Sequence, residues 1–282
     1  MTTDDDLRAL RRAYAKQVAH AAQAADPRLE DALADLPRER FLPPGPWLLA
    51  RGSGGYRPTP DADPVYLYQD VPIALQPERR LNTGQPSFVA GLIGHLRLAA
   101  GETAVHVGCG TGYYTAILGR FVGPQGAVLA IEHEPDLAAR ARQALGGLPQ
   151  VRVVEGDGSA VPLPPADAIL VTAGCTHPAD PWLDALTADG RLILPLTVDR
   201  GEGITEGVIL LVERRGETFA ARCLCGTRYY PCIGARDAAS GAALAAALAR
   251  GGAGRVTALR RTDLVPEEAC WLRAPGWSLT YA

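Results

Sequence analysis

The sequence predicts an α/β fold built on a doubly wound, mostly parallel sheet, with a helical addition at the N-terminus and an extension at the C-terminus. From about Leu81 onward, short apolar runs alternate with amphipathic segments, which is the pattern of strands and helices in such a fold. The apolar runs show little polar alternation, as expected for strands buried on both faces. The chain has 282 residues, of which 47% are hydrophobic and 21% charged, so it can bury one large core and lacks the composition typical of disorder.

The first 80 residues predict helices followed by a long loop. Apolar residues recur at steps of three and four over 7–25, which predicts an amphipathic helix. A second, short helix is predicted for 27–34. Residues 43–64 are rich in proline and glycine and predict a long irregular connection, and loops of that length often carry function.

The remaining residues predict the α/β core and the extension. We expect 1–80 to hold the helices and a substrate or cap loop, 81–235 to form the ligand-binding domain, and 236–282 to pack on the core, where they either cap the sheet or cover a cleft. The last two core strands read as an antiparallel hairpin. Predicted strands cover 104–107, 127–132, 151–155, 167–172, 191–196, 207–213 and 218–225; predicted helices cover 85–98, 112–122, 135–145 and 181–186, and the extension adds a helix over 237–250 and a strand over 277–281.

Charge and composition disfavour several classes of protein. The formal charge of −3 disfavours a nucleic-acid-binding protein that relies on a basic surface. The acidic N-terminus and the absence of a long apolar run predict a soluble, cytoplasmic chain that does not bind membranes. The six cysteines lack the paired spacing of a zinc site, so we predict no metal and buried or half-buried thiols.

A glycine-rich turn is the strongest functional signal. Gly108, Gly110 and Gly112 lie between the first core strand and a helix, where glycine lets the backbone turn tightly and approach a ligand. Dinucleotide-binding folds use the spacing G-x-G-x-x-G to hold a pyrophosphate. Here the spacing is G-x-G-x-G, with Tyr113 where that pattern has glycine, which favours a ligand without a pyrophosphate.

Acidic residues follow the next two strands. Glu132 ends the second strand, where a carboxylate can accept from both hydroxyls of a ribose. Asp157 and Gly158 follow the third strand, where the carboxylate can accept from an adenine amine and the glycine permits close approach to the ring. Since open α/β sheets bind ligands at the carboxyl ends of their strands, the three loops together predict a nucleoside-binding site.

These features resemble class I S-adenosylmethionine-dependent methyltransferases and, more narrowly, the protein-L-isoaspartate O-methyltransferase family. The resemblance implies a Rossmann-like sheet of the seven-stranded methyltransferase type and S-adenosyl-L-methionine as cofactor. It also implies methyl transfer to the carboxylate of isoaspartyl and D-aspartyl residues in a peptide or protein. The matching blocks are Leu36–Pro44, Tyr68–Pro72, Gln85–Pro86, Gly108–Tyr114, Glu155–Gly158, Gly190–Pro195 and Thr227–Pro231.

Two positions depart from the family pattern. Gly84 stands where the family presents a serine to the substrate carboxylate, so the hydroxyl of Thr83 or of Ser87 is the candidate replacement. His106 stands where the family has an acidic residue before the first glycine. The cofactor-binding residues that we expect are Asn82, Thr83, Gln85, His106, Gly108, Gly110, Gly112, Glu132, His133, Asp157 and Gly158.

The chemistry predicts few catalytic residues. A carboxylate acceptor has a pKa near 4 in model compounds, so at pH 7 it is ionised without a base. An amine or alcohol acceptor would need a general base, for which His177 is the candidate. We therefore expect catalytic roles for Thr83, for Asp70 through ordering of the loop beneath 82–85, and for His177. Two alternatives stay open: a different acceptor, such as a biosynthetic peptide or a small molecule, and a module that binds the cofactor without turnover.

Overall fold

The computed structural model describes residues 2–52, 55–199, 201 and 204–281. Its α-helices are α1 (Asp4–Ala21), α2 (Arg28–Asp35), α3 (Pro86–Leu96), α4 (Tyr113–Val122), α5 (Pro135–Leu145), α6 (Asp180–Ala185) and α7 (Ala238–Arg250). Its strands are β1 (Leu48–Ala50), β2 (Tyr56–Pro58), β3 (Ala74–Gln76), β4 (Leu81–Asn82), β5 (Thr103–Val107), β6 (Ala127–Glu132), β7 (Val151–Glu155), β8 (Ala166–Val171), β9 (Leu186–Asp199), β10 (Thr205–Arg215), β11 (Thr218–Tyr229), β12 (Ala258–Arg260), β13 (Cys270–Ala274) and β14 (Trp277–Thr280).

Local sequence explains where the main helices begin. Helix α1 follows a capping box in which Thr3 and Asp6 bond each other's backbone N–H groups, so two helix-end donors are satisfied at once. Helices α3 and α5 each begin with proline, whose missing N–H costs nothing in the first turn. Asp237 caps α7 by accepting from the backbone N–H of Ser240 at 2.7 Å.

The main sheet confirms the predicted fold class. In the described residues it has ten strands, in the order β13-β14-β12-β11-β10-β9-β8-β5-β6-β7. Strands β5, β8 and β9 pair in parallel, and the Ala168–Val171 stretch of β8 is fully buried, as the apolar run predicted. Strand β9 pairs antiparallel with β10, which forms the predicted hairpin with β11. The seven predicted core strands are present as β5 to β11, and the extension adds three strands where one was predicted.

The C-terminal extension lengthens the sheet rather than standing apart from it. Strand β12 pairs antiparallel with β11 through Phe219 and Leu259, and β14 and β13 continue the sheet outward. Leu259 and Leu279 are 1% and 0% exposed, so these strands bury apolar surface as well as backbone. The extension therefore covers an edge of the sheet, which otherwise would expose unpaired backbone groups.

The segment 43–64 is more regular than predicted. It contains β1 and β2, which pair antiparallel with Leu49 opposite Arg57, while Ser53 and Gly54 lie outside the described residues. Trp47 packs with Leu42, Leu67 and Ile73 in a buried cluster that also contacts Leu49 and Leu75. This tertiary packing holds two three-residue strands that are too short to show a periodic pattern in the sequence.

The residue contacts divide the chain into two compact units. The first unit comprises residues 1–102, 109–130 and 134–154, and the second comprises 103–108, 131–133 and 155–282. The predicted division into 1–80, 81–235 and 236–282 stays a prediction.

The cysteines follow the expected burial with one exception. Cys109, Cys175 and Cys232 are buried and Cys223 is half-buried, but Cys225 is exposed on β11. The exception arises at a β-bulge, since the register of β11 against β10 shifts between Cys223 and Cys225. In the described part of the chain, no group of three or more His, Cys, Asp or Glu side chains is arranged to hold a metal ion.

Candidate active site

The glycine-rich turn has the left-handed backbone that its composition predicts. Gly108, Gly110 and Gly112 have φ values of +77°, +56° and +94°, where a side chain is unfavourable. The turn follows the end of β5, and α4 begins directly after Gly112. The backbone N–H of Gly108 donates to the carbonyl of Ile131 at 2.8 Å, which ties the start of the turn to the end of β6.

The three glycines differ in what surrounds them. A Cβ atom on Gly112 would lie 2.7 Å from Leu145 Cδ1 in α5, so the close packing of two helices requires glycine there. A Cβ atom on Gly108 would make ordinary van der Waals contacts with Thr172 and Ala173 at 3.5 Å, and one on Gly110 would contact Leu75 Cδ1 at 3.7 Å. At these two positions the positive φ, and not close packing, is the reason for glycine.

Glu132 and His133 end β6 in different environments. Glu132 is only 7% exposed, and its carbonyl accepts from the backbone N–H of Gly156 at 2.9 Å, which joins the ends of β6 and β7. His133 is exposed.

Asp157 forms a local turn after β7. Its Oδ1 atom accepts from the backbone N–H and the hydroxyl of Ser159, both at 2.8 Å. Its Oδ2 atom packs against the backbone of Gly234, because a Cβ atom there would lie 2.0 Å from it. Both carboxylate oxygens thus contact the protein, and the bond to an adenine amine stays a prediction.

Gly158 is required for a reason that the sequence did not indicate. A Cβ atom on this residue would overlap Val107 Cγ1 at 2.3 Å, so the residue lies directly against the end of β5. Its carbonyl accepts from Trp182 Nε1 at 2.8 Å, and the indole is fully buried. The protein itself thus makes a close approach that requires glycine here, and the predicted contact of Gly158 with the adenine ring stays a prediction.

His106 is a buried, neutral histidine. Its side chain is 1% exposed, and burial lowers its pKa to about 3. Its Nε2 atom lies 3.0 Å from the hydroxyl of Thr172, which donates to the carbonyl of Gly108 at 2.7 Å. Because the hydroxyl has one proton to donate, His106 must be protonated on Nε2 and donate to it. The histidine thus holds the start of the glycine turn through Thr172, while its predicted contact with the cofactor stays a prediction.

The loop after β8 is fixed against residues that follow β11. The backbone N–H of Gly174 donates to the carbonyl of Tyr230 at 2.8 Å, and that of Thr176 donates to the carbonyl of Ala235 at 3.0 Å. A Cβ atom on Gly174 would overlap the hydroxyl of Thr197 at 2.3 Å, so the loop packs tightly.

His177, at the end of this loop, forms a pair with Asp237. Its Nδ1 atom lies 3.0 Å from Asp237 Oδ2, and its side chain is 25% exposed. Burial by itself would raise the pKa of Asp237, but hydrogen bonds from Ser240 and the charge of His177 outweigh it and hold the pKa below its usual range. Among the described residues, His177 Nε2 has no hydrogen-bond partner. The arrangement orients the imidazole and leaves one nitrogen available, as in a general base.

Asp70 organises the start of α3 in the first unit. Its Oδ1 atom accepts from the backbone N–H of Ser87 at 2.7 Å, and its Oδ2 atom accepts from the Ser87 hydroxyl at 2.6 Å and from Gln85 Nε2 at 3.0 Å. The carboxylate therefore caps the helix from a distant segment, where a negative charge is favourable. The prediction that Asp70 orders this loop matches the geometry.

Residues 82–84, where Gly84 replaces the serine of the family pattern, are held by hydrogen bonds within the protein. Thr83 Oγ1 accepts from the backbone N–H of Ile73 at 3.0 Å and donates to the carbonyl of Gly84 at 3.2 Å. Asn82 Oδ1 accepts from the backbone N–H of Gly84 at 2.9 Å, and Tyr114 donates to the Gly84 carbonyl at 3.4 Å. Both hydroxyls proposed to replace the missing serine, those of Thr83 and Ser87, thus donate to protein acceptors.

An ion pair that sequence reasoning missed holds the hairpin of β3 and β4. Arg79 Nη2 lies 2.7 Å from Glu134 Oε1, with a second bond from Nη1 to Oε2 at 2.5 Å. Glu134 precedes α5, and Leu75 Cδ1 in the same hairpin would lie 3.7 Å from a Cβ atom on Gly110. The partners are far apart in sequence, so only the tertiary structure reveals the pair.

The predicted residues fall into two groups. In the second unit, Gly108, Glu132, Asp157, Gly158 and His177 occupy the loops at the carboxyl ends of β5 to β8. In the first unit, hydrogen bonds link Asp70 with Gln85, and Thr83 with the strand pair that precedes it. Sequence reasoning missed Thr172 and Asp237, although an aspartate three residues before Ser240 and ahead of an alanine-rich run is a cap signal.

Comparison with known proteins identifies the family. The family model described as Protein-L-isoaspartate(D-aspartate) O-methyltransferase (PCMT) matches residues 56–237. A relative from Pelobacter propionicus, Protein-L-isoaspartate O-methyltransferase 2, is 32% identical over 216 residues, 74% of this chain and 84% of its own length. A Protein-L-isoaspartate O-methyltransferase from Anaeromyxobacter dehalogenans is 36% identical over 198 residues, 68% of this chain and 82% of its own length. This chain belongs to the protein-L-isoaspartate O-methyltransferase family.

Solved structures support the same fold. A protein-L-isoaspartate O-methyltransferase structure superposes with a TM-score of 0.64 at 23% identity, covering 79% of this chain and 66% of the other. A proposed protein-L-isoaspartate O-methyltransferase from Plasmodium falciparum, in complex with S-adenosyl-L-homocysteine, gives a TM-score of 0.60 at 15% identity, covering 79% of this chain and 97% of the other. In the part of the chain that the structure describes, no helix is long and apolar enough to cross a membrane.

As a member of this family, the chain is an S-adenosyl-L-methionine-dependent methyltransferase. The residues present fit that cofactor. The G-x-G-x-G turn has its third glycine one residue earlier than pyrophosphate-binding turns do, and the carboxylate of Glu132, a type of group that can accept from ribose hydroxyls, ends β6. The family's cofactor carries an adenosine but no pyrophosphate, so turn and cofactor agree.

Two glycines with the same backbone conformation test whether packing or backbone conformation dominates at the turn. Gly112 (φ +94°, ψ +7°) and Gly252 (φ +83°, ψ +9°) are both left-handed, so alanine at either position costs roughly 1–2 kcal/mol. Only Gly112→Ala adds overlap with Leu145, since the nearest atom to a Cβ atom on Gly252 is the Tyr281 hydroxyl oxygen at 4.0 Å. We expect urea unfolding to show a further loss of about 1–3 kcal/mol for Gly112→Ala relative to Gly252→Ala. Equal losses would exclude close helix packing as the reason for Gly112.

The neutral state of His106 predicts a pH dependence of stability. Between pH 6.5 and about 3 the unfolded histidine binds a proton that the folded protein excludes, so its contribution to stability is complete above pH 6.5 and is lost as the pH falls. We expect the free energy of unfolding of the wild type, relative to His106→Gln, to fall by up to ~1.4 kcal/mol per pH unit below pH 6. Urea unfolding at pH 7, 6, 5 and 4 measures this. A constant difference between the two proteins would contradict the buried, neutral histidine.

Proposed function

We propose that this enzyme methylates the carboxylate of isoaspartyl residues in peptides or proteins. The observation that carries the proposal is the match of the family model over residues 56–237, which includes the ordered Asp70–Gln85 cluster as well as the glycine turn. Relatives that share 32% and 36% identity over most of their own length carry that activity in their names. A cytoplasmic location stays a prediction.

The cofactor, when bound, supplies a methyl group on a sulfonium that is a good leaving group. The glycine turn at 108–112 offers backbone groups against which the cofactor can lie, because glycine at positive φ carries no side chain beside those groups. Glu132 is assigned to the ribose hydroxyls, and the carboxylate of Asp157 to the adenine amine. Asn82, Thr83, Gln85, His106, His133 and Gly158 stay predicted cofactor neighbours without a contact that supports them.

The acceptor step needs orientation more than acid–base chemistry. A carboxylate near pKa 4 is ionised at pH 7, so no residue has to remove a proton. Holding the two reactants in line contributes roughly 7–11 kcal/mol to such reactions. Asp70 serves this as a positioning residue, because its bonds to Ser87 and Gln85 fix the segment in which the family carries its serine.

Gly84 changes how the acceptor can be held. With no side chain at this position, donors to the carboxylate must come from the backbone or from a rearranged Thr83 hydroxyl. Restoring serine is not a simple test, because Gly84 has φ +72° and a Cβ atom would lie 3.1 Å from Val89 Cγ2. A Gly84→Ser protein would combine a new hydroxyl with backbone strain, so its activity would not report the hydroxyl alone.

The His177–Asp237 pair favours a second candidate function. An acceptor that carries a proton on its attacking atom, such as an amine or an alcohol, needs a base that a carboxylate does not. His177 has one nitrogen held at 3.0 Å by Asp237 and the other without a partner among the described residues, which is the form of such a base.

A methyl-transfer assay separates the two candidates. Purified enzyme is given radiolabelled S-adenosyl-L-methionine with an isoaspartyl peptide or with the aspartyl peptide of the same sequence. We expect base-labile label in the isoaspartyl peptide alone, and the same rate for His177→Ala, since a carboxylate needs no base. No label in either peptide, from a protein that binds the cofactor, would reject the isoaspartyl function and leave the second candidate.

Glu132→Ala tests the proposed cofactor contact. Losing hydrogen bonds to a charged acceptor should weaken binding by roughly 1.5–3 kcal/mol, which is about a 10- to 150-fold higher Kd for S-adenosyl-L-methionine. Calorimetry measures the Kd, and Glu217→Ala, an exposed acid in the turn between β10 and β11, controls for the lost charge. An unchanged Kd would remove Glu132 from the site.

A further inference from the structure

The first unit contains a cavity that the proposed reaction does not use. It has a volume of about 610 Å³, within the range of sites that bind small ligands and peptide side chains. The loop before β1 and helix α5 supply most of its walls. The residues that matter for its chemistry are Glu39, Arg40, Leu42, Trp47, Arg140 and Gln143.

The cavity carries cations without acidic partners. Arg40 is exposed and, among the described residues, makes neither an ion pair nor a side-chain hydrogen bond. Arg140 donates only to the carbonyl of Leu42, at 3.4 Å. The one acid in the wall, Glu39, accepts from the hydroxyl of Tyr68 at 2.6 Å, which occupies part of its carboxylate. The two guanidinium groups are thus available to carboxylates from outside.

The floor of the cavity is apolar, and its polar N–H group is already hydrogen-bonded within the protein. Leu42 and Trp47 are each 6% exposed and belong to the buried cluster with Leu67 and Ile73. The indole N–H of Trp47 donates to the carbonyl of Pro43 at 2.8 Å, so it needs no partner from a ligand. A ligand with a carbon chain and a terminal carboxylate matches an apolar floor beneath two cations.

The same cluster reaches the segment expected to hold the acceptor. Ile73 exchanges hydrogen bonds with Thr83, since it donates to the Thr83 hydroxyl at 3.0 Å and accepts from the Thr83 N–H at 2.9 Å. Cavity floor and acceptor segment are therefore parts of one packed structure within the first unit. The residues that flank a reactive residue bound near Thr83 can therefore extend toward this cavity.

We infer that this cavity binds aspartate or glutamate side chains that flank the methyl-accepting residue, which makes acidic polypeptides the preferred substrates. The inference rests on the proposed function for the location of the acceptor. Arg40 and Arg140 supply the charge, and Leu42 and Trp47 receive the methylene groups of the acidic side chains.

Three isoaspartyl peptides of equal length test this, with two flanking glutamates, two glutamines or two lysines. We expect the KM of the glutamate peptide to be about 5-fold below that of the glutamine peptide, with the same kcat, because exposed ion pairs contribute modestly and mainly to binding. The lysine peptide should have the highest KM. Raising the salt concentration from 50 to 300 mM should shrink these differences.

The double variant Arg40→Gln/Arg140→Gln should remove the KM difference and leave kcat and the Kd for S-adenosyl-L-methionine unchanged. Its matched control is Arg12→Gln/Arg152→Gln, which removes two exposed arginines elsewhere and alters the net charge equally. Equal KM values for the three peptides in the wild type would overturn the inference. So would a difference that persists in the double variant or that disappears in the control as well.

Direct binding keeps this test independent of turnover. A fluorescein-labelled glutamate-rich peptide without isoaspartate is titrated with wild type and variants, and its anisotropy is measured. Binding that is at least 5-fold weaker for Arg40→Gln/Arg140→Gln, but not for the control, supports the cavity even if no isoaspartyl peptide is methylated. Equal binding by all proteins, together with methylation of isoaspartyl peptides, rejects the cavity and retains the proposed function.

Discussion

The turn from β5 into α4 is the constraint on which the rest of the site depends. Its three glycines adopt left-handed backbone conformations that other residues resist. One end is held by the Thr172 hydroxyl, which bonds the carbonyl of Gly108, and the other is packed against Leu145. Because both ends are held by the protein, the backbone of the turn keeps its shape. This is the preorganisation that a transfer reaction without acid–base catalysis requires.

Two aspartates illustrate how the protein builds loops around helix ends. Asp70 caps α3 from a segment 17 residues away, and Asp237 caps α7 from the adjacent position. In each case the carboxylate meets the positive end of the helix and also holds a second group, Ser87 Oγ in one and His177 in the other. A single charge thus fixes both a helix start and a neighbouring loop, so changing either carboxylate affects two elements at once.

Much of the fold and part of the site could be predicted because the signals are local. The limits of β6, α5 and β7 match the expectation, since long apolar runs and a proline at the first helical position mark them in the chain itself. The turn at Gly108 was predictable for the same reason, because the spacing of its glycines indicates where the backbone adopts positive φ. The extra strands β12 and β13 were missed, since three to five residues are too few to show a period.

The sequence by itself determined the α/β class, the glycine turn and the family, because periodicity, glycine spacing and ordered motifs are properties of neighbouring residues. Only the tertiary structure decided what each side chain does. Gly158 is needed because Val107 lies against it, His106 is neutral because the sheet buries it, and His177 has a partner because α7 begins beside it. Burial and contact between distant segments set these roles, and neither can be predicted from neighbouring residues in the sequence.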